Sequence, residues 1–242
     1  MASFVANGHE VRLHAYEEIK GVPAGVQLID ASMTLPASAI FHHTQSGSIA
    51  AFADLFRYRL LYEQGGIWSD TDMICLQPLR YSTAEVFGWM DSEIINNALL
   101  GLPKGHTIAK WLAECCENPN RWLPYDNSRT RRRKLKRRLL FNRRGNVAWG
   151  EYGPQGFTRA AHYFGIAERA QPFWHFYPLH YKAWRAAFDT SLQDNAELLS
   201  NSRAIHLWNE MFRRERGFDK DGRFPSESLF ERLWRRYFKS DN

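Results

Sequence analysis

Apolar and polar residues alternate from Val11 to Ala15, with Val11, Leu13 and Ala15 on one side, and this predicts a half-buried strand. A Pro/Gly turn in GVPAG leads to a second short strand, VQLID, ending at Asp30. From Ser48 the period changes. Phe52, Leu55, Phe56, Leu60 and Leu61 recur near one side of a helix, Ser46 or Ser48 stands where a cap belongs, and Gly65-Gly66 supplies the stop. The next segment, IWSDTDMICL, is too short for a further helix and reads as one apolar strand. EVFGWMDSEIINNALLGLP follows as strand and turn, and HTIAKWLAECCEN as an amphipathic helix. EYGPQGFTRAAHYFGI reads as a Gly-Pro turn into a helix, AIHLWNEMF as a late strand or loop, and SESLFERLWRRYF as a closing helix. No repeat or low-complexity linker interrupts the series, so the expectation is a single α/β domain over residues 1–242.

Composition adds limits. A chain that is 44% hydrophobic over 242 residues can bury a core and is not disordered. No window approaches the roughly 20 apolar residues of a membrane span, and the N-terminus lacks the basic-then-apolar layout of a secretory signal. The three cysteines, Cys75, Cys115 and Cys116, suit neither a disulfide framework nor a Cys-x-x-Cys metal site. Together these predict a cytoplasmic protein. The net charge of +6 is concentrated in Arg129–Gly145, RTRRRKLKRRLLFNRRG, which attracts anions. That run has two leading readings: a solvated helix or loop, or peripheral contact through residues 129–144 with an anionic membrane on its inner face, using Leu135, Leu139, Leu140 and Phe141 as an apolar stripe. No nucleic-acid motif accompanies it, so nucleic acid is not expected as a partner.

The chemistry concentrates in residues 53–79. Asp70 and Asp72, two apart on a strand, would face the same way, and two unpaired carboxylates repel and are costly to desolvate. A divalent cation with a preference for hard oxygen ligands, Mn²⁺ or Mg²⁺, relieves both costs and can bridge to phosphate. On the preceding helix Asp54 and Arg57 are three apart and share a face, with Tyr58 beside them. In isolation each of these features is also a common surface arrangement.

In combination they are specific. The run FADLFRYRLLYEQGGIWSDTDMICLQPL, with Asp54, Arg57, Leu61-Tyr62, Gly65-Gly66, Trp68, Asp70, Asp72 and Pro78 in their places, resembles the signature of the DXD-containing sugar transferases of glycosyltransferase family 32. That family includes α-1,4-glycosyltransferases and mannosyltransferases. The resemblance implies a GT-A-like nucleotide-diphospho-sugar transferase sandwich and metal-dependent transfer, with retention, from a UDP- or GDP-sugar. The acceptor would be a saccharide or lipid-linked molecule in surface polysaccharide or glycoconjugate synthesis. Carried over by position, Asp54 and Arg57 would hold the donor sugar, with Tyr58 beside them, and Trp68 would line the nucleotide site. Asp70 and Asp72 would bind the metal, Asp70 also reaching ribose or sugar. Asn97 or Asn96 would meet the electron-poor sugar carbon, His206 would be a third metal ligand, and Trp208 or Asn209 would contact diphosphate. The Gly153-Pro154 turn matches a turn of the family and is read as structural. Family members also carry an apolar strand ahead of a run like ASFVANGHEVRLHAY, so the expectation is that this chain lacks that strand. Two other classes compete. A phosphohydrolase using the first Asp of Asp-x-Asp would need a long apolar strand before it, which the Gly-Gly turn denies. A catalytically degenerate binding protein with a basic surface would show no turnover with any metal.

Overall fold

The computed structural model describes residues 1–140, 143–192, 199–219 and 221–238. From the N-terminus the elements are α1 (Ala2–Ala6), β1 (Val11–Ala15), β2 (Val26–Asp30), α2 (Ala50–Gln64), β3 (Gly66–Ser69), β4 (Met73–Cys75), β5 (Val86–Trp89) and β6 (Ile95–Leu102). There follow α3 (Thr107–Glu117), α4 (Ser128–Leu140), α5 (Pro154–Tyr163), α6 (Phe173–Phe176), β7 (Ala204–His206), α7 (Asn209–Arg214) and α8 (Leu229–Phe238), with short 3₁₀ turns between them. The fold is mixed α/β with small sheets, and the chain divides into two compact units.

One unit comprises Asp30–Trp68 and Ser82–Ala170. Its sheet has the order β3-β6-β5. Every residue of β6 is buried, as a central strand covered on both faces requires. β5 pairs antiparallel with β6, with an irregularity between Val86 and Gly88. α2 and α3 pack against each other and α5 packs on β6, enclosing Leu55, Tyr58, Phe87, Leu100, Leu112 and Phe157. Helix α2 begins at Ala50, with Ile49 and not a serine at its N-cap; Ser48, one residue earlier, accepts the Ala50 N–H at 3.1 Å. The helix stops at Gly65, whose φ of +73° is left-handed and where an added Cβ would lie 2.5 Å from the Lys104 nitrogen.

The other unit comprises Met1–Ile29, Ser69–Tyr81 and Gln171–Asn242. β1 and β2 form one two-stranded sheet, and β4 and β7 an antiparallel one with Met73 opposite His206 and Cys75 opposite Ala204. The N-terminal residues form a helix, α1, that periodicity did not indicate. It packs on β4 and α8, and its Ser3 hydroxyl accepts the Cys75 N–H at 3.0 Å. Trp184, Phe188, Phe212, Phe218 and Phe224 make an aromatic cluster behind α7.

The segment read as one strand from Ile67 is two strands of different sheets, β3 and β4, separated by Asp70–Asp72. The Met73 N–H donates to the Asp70 carbonyl at 3.1 Å, closing a four-residue turn. Ser, Asp and Thr each favour turns through local side-chain bonds, and a turn spares the two carboxylates a place in a ladder. Asp70 and Asp72 therefore meet across a bend and not along a pleat.

Candidate active-site clusters

The Asp70–Asp72 turn faces the end of β7. With Met73 opposite His206 the ladder runs on for one more bond, from the Leu207 N–H to the Asp72 carbonyl at 3.0 Å. This register puts His206 Nε2 3.0 Å from Asp72 Oδ2. Trp208 follows with φ 60° and ψ 48°, a left-handed conformation that is unfavourable for a bulky residue and persists only where its surroundings hold it. The reversal aims the Asn209 N–H at Asp72 Oδ2, 2.8 Å away. The Trp208 ring lies against His206, centroids 4.1 Å apart, and its Nε1–H donates to the Leu179 carbonyl at 2.7 Å. Tyr177 borders the same imidazole at 6.0 Å and was not picked out from the sequence, since nothing in FWHFYPL distinguishes it from core aromatics. Burial pushes the Asp72 carboxyl up, but His206 and the Asn209 N–H more than offset this, and it lies below the usual aspartate value.

Asp70, Asp72 and His206 each offer a ligand atom, all within 4.8 Å of one another. Two carboxylate oxygens and one imidazole nitrogen suit Mn²⁺ or Mg²⁺ with open positions left for phosphate. The donor set also fits on a second count: His206 is 8% exposed, and its Nδ1 has no hydrogen-bond partner among the described residues. The cysteine thiols do not compete, because burial raises Cys75 and Cys115 to about 11 and holds them protonated.

A second cluster lies in the other unit, where α2 meets β6. Asp54 and Arg57 share a helix face 3.8 Å apart, and Arg57 Nη1 donates to the Asn97 carbonyl at 2.5 Å. The Arg57 guanidinium stands over the Trp68 ring at 5.0 Å. Asn97 Nδ2 donates both its hydrogens, to Asp54 Oδ1 at 3.1 Å and to the Tyr58 hydroxyl at 2.9 Å. Tyr58 in turn donates to the Tyr152 carbonyl at 2.8 Å. Burial first, then the Asp54 charge, drives the Tyr58 hydroxyl well above its ordinary value, so it remains a neutral hinge in this chain of bonds. Neighbouring strand residues point to opposite faces, so only one of the two asparagines can join this cluster. Asn97 does. Asn96 turns away, its Oδ1 accepting the Ala98 N–H at 2.8 Å and its Nδ2 reaching Met90 Sδ at 3.2 Å.

Gly153, read as part of a structural turn, lies against this cluster: a Cβ there would sit 3.1 Å from Asp54 Oδ2. Its mark in the sequence is the Tyr-Gly-Pro triplet, but nothing in a chain of letters links it to Asp54, ninety-odd residues earlier.

Up to Leu140 the basic run is helical, and not every cation on it is solvated. It forms α4, on which Lys134 and Arg137 are drawn inward, Lys134 to Asp126 Oδ2 at 2.7 Å and Arg137 to both oxygens of the buried Glu151 at 2.7 and 2.8 Å. Phe141, the fourth residue of the expected apolar stripe, lies outside the described residues.

Comparison with known proteins accords with this arrangement. Residues 26–97 match the glycosyltransferase sugar-binding region containing the DXD motif, and residues 145–237 match the alpha 1,4-glycosyltransferase conserved region. The first stretch contains Asp54, Arg57, Asp70, Asp72 and Asn97; the second contains Gly153, His206 and Trp208. Lactosylceramide 4-alpha-galactosyltransferase of Rattus norvegicus is 26% identical over 182 residues, 70% of this chain and 43% of the relative. Its counterpart in Pongo pygmaeus is 26% identical over 67% of this chain and 68% of its own. Alpha-1,4-N-acetylglucosaminyltransferase of Homo sapiens is 26% identical over 76% of this chain and 49% of its own. The chain thus spans under half the length of the rat and human relatives. No solved structure matches. The cytoplasmic placement, and with it the inner face as the side of a membrane that residues 129–144 would meet, is overturned by these relatives, which are animal transferases, several of them named for the glycolipid lactosylceramide. Among the described residues no helix is long and apolar enough to cross a membrane. The two matched regions follow one another along the chain and between them carry both clusters, so the chain is similar to the DXD-containing glycosyltransferases and to the α-1,4-glycosyltransferases.

Proposed function

We propose that this chain transfers a hexosyl group from a nucleotide-sugar donor, with retention, to a saccharide or lipid-linked acceptor on a GT-A-like scaffold. The observation that carries the reading is the convergence of Asp70, Asp72 and His206, three donor atoms within 4.8 Å on a turn and a strand end, with a buried His206 Nδ1 otherwise unpartnered among the described residues. These residues would hold Mn²⁺ or Mg²⁺, which when bound offsets the charge that grows on the diphosphate leaving group. His206 and, after it, the Asn209 N–H favour ionised Asp72, and the Trp208 ring packs against the imidazole.

Asp54 and Arg57 are assigned to donor hydroxyls. A carboxylate already held by Asn97 is pre-oriented and loses little freedom on accepting a hydroxyl. With both Nδ2 hydrogens committed, the Asn97 carboxamide is locked, and its Oδ1 is the oxygen offered to the oxocarbenium-like carbon as the glycosidic bond breaks. Trp68, stacked on Arg57, is assigned to the nucleotide. Asn96 keeps a place in support of the strand that carries Asn97, with its side chain engaged by Ala98 and Met90.

The test is hydrolysis of a panel of UDP- and GDP-sugars with Mn²⁺ and with chelator. The reading expects slow, Mn²⁺-dependent release of nucleoside diphosphate from one donor and its loss in Asp72→Ala. Turnover unchanged in Asp72→Ala would reject the metal assignment. No turnover with any donor or metal, on protein shown to be folded, would favour the degenerate binding protein.

A further inference from the structure

Helix α4 carries eight Arg and Lys residues between Arg129 and Arg138, and the structure gives two of them a different task from the rest. Lys134 and Arg137, three apart and so on one face, are tied to Asp126 and Glu151, and both carboxylates are buried. Buried, charge-assisted bonds of this kind fix the roll of the helix about its axis. At about 100° per residue, the side opposite the anchors is then occupied by Arg132, Leu135, Lys136 and Leu139, with Arg129 adjoining. Leu139 is 77% exposed, Leu140 58% and Leu135 43%. Arg129, Arg132 and Lys136 form no ion pair among the described residues. Just before the helix Trp122 is 58% exposed, with the Arg131 guanidinium 5.8 Å above its ring.

A helix that points leucines and cations outward together, with its roll set by buried ion pairs, is shaped for one kind of surface. A nucleic-acid backbone satisfies the cations and leaves the leucines in water. A solvated helix has no use for exposed leucines at i and i+4. An anionic bilayer takes both: the phosphates and carboxylates of the headgroups pair with the cations, and the leucines bury among the acyl chains at their roots. Trp122 adds the ring type that favours the headgroup level.

We propose that α4 is a membrane-docking element, lying on an anionic lipid surface through Arg129, Arg132, Leu135, Lys136 and Leu139, with Trp122 at its edge. The inference is independent of the transfer reaction, since none of these residues belongs to either cluster described above.

The experiment is co-sedimentation of the whole chain with vesicles of phosphatidylcholine alone and with phosphatidylserine added, at low and high salt. Binding is expected only with phosphatidylserine and weakened by salt. Replacing Arg129, Arg132 and Lys136 together by Gln should weaken it on the order of 100-fold, at about fivefold per cation. Leu135→Ser with Leu139→Ser should weaken it roughly tenfold or more while leaving the melting temperature unchanged, because both side chains are already in water. The proposal is overturned by equal binding to both vesicle types, by no binding to either, or by full binding of the leucine variant. That last outcome would make the contact one of charge alone, and equal capture of a polyanion such as heparin by the leucine variant and the wild type would then identify it as general anion binding.

Discussion

At Gly153 the main chain passes so near Asp54 that a methyl group would stand 3.1 Å from Oδ2, tighter than ordinary contact. The carboxylate must give way by a few tenths of an ångström. Gly153→Ala is therefore expected to fold with a stability change under about 1 kcal/mol while kcat/KM falls about tenfold or more, because a small misplacement of a positioning group is costly. Urea unfolding alongside steady-state kinetics separates the two. Tyr58→Phe makes the opposite prediction. It removes the hydroxyl that joins Asn97 to the Tyr152 carbonyl and leaves both groups short of a partner in a fully buried place, so a loss of about 1–3 kcal/mol in unfolding free energy is expected. Asp54, Arg57, Asp70 and Asp72 stood out in the sequence as candidates because charged residues at helix and strand spacings are conspicuous against an apolar background. Tyr152 was not legible as a partner of Tyr58, nor Gly153 as a neighbour of Asp54, because these proximities are made by tertiary packing and not by any local pattern.

Elements differ in how much of themselves they reveal. Helix α2 was readable from its apolar period and its glycine stop, since both are local, while its N-cap is Ile49 and not the serine expected. The bend at Asp70–Asp72 was misread as strand, although Ser69-Asp70-Thr71-Asp72 carries turn-forming side chains throughout. For α4 the sequence showed a run of cations but not which of them fold inward. Glu151 decides that. Burial pushes its carboxyl up, but the bidentate Arg137 and the Ala148 N–H more than compensate, and it lies below its ordinary 4.5. A depressed carboxyl contributes stability above its unfolded value that is lost as pH falls through the folded one. The unfolding free energy is thus expected to decline below about pH 4.5 in the wild type and to decline less in Glu151→Gln. At neutral pH the same variant leaves Arg137 half-buried and unpaired, at about 2–4 kcal/mol, and the melting temperature should fall by roughly 2–4 °C for each kcal/mol lost.

At the scale of the whole molecule, the proposed function implies that metal and donor would bind, and so stabilise, only the folded chain. Mn²⁺ with a nucleoside diphosphate at about a hundred times its dissociation constant should add about 2.7 kcal/mol to the unfolding free energy. Chelator should remove that gain, and Asp72→Ala should never acquire it. A thermal-shift series in which Asp72→Ala gains as much as the wild type would place the metal elsewhere.

What this sequence showed by itself was its resemblance to the DXD sugar transferases and the candidate residues that carry it, because the DXD run, the double glycine and the helix before them are local patterns of spacing. It also determined that the chain has a core to fold around. Tertiary structure alone decided which of Asn96 and Asn97 meets Asp54, since adjacent strand residues diverge and only the sheet's orientation selects one. It decided that His206, well over a hundred residues from Asp72, completes the carboxylate pair, since the β4–β7 register brings them together. And it decided which arginines are buried and which face outward, because a helix's roll is set by its partners and not by its own sequence.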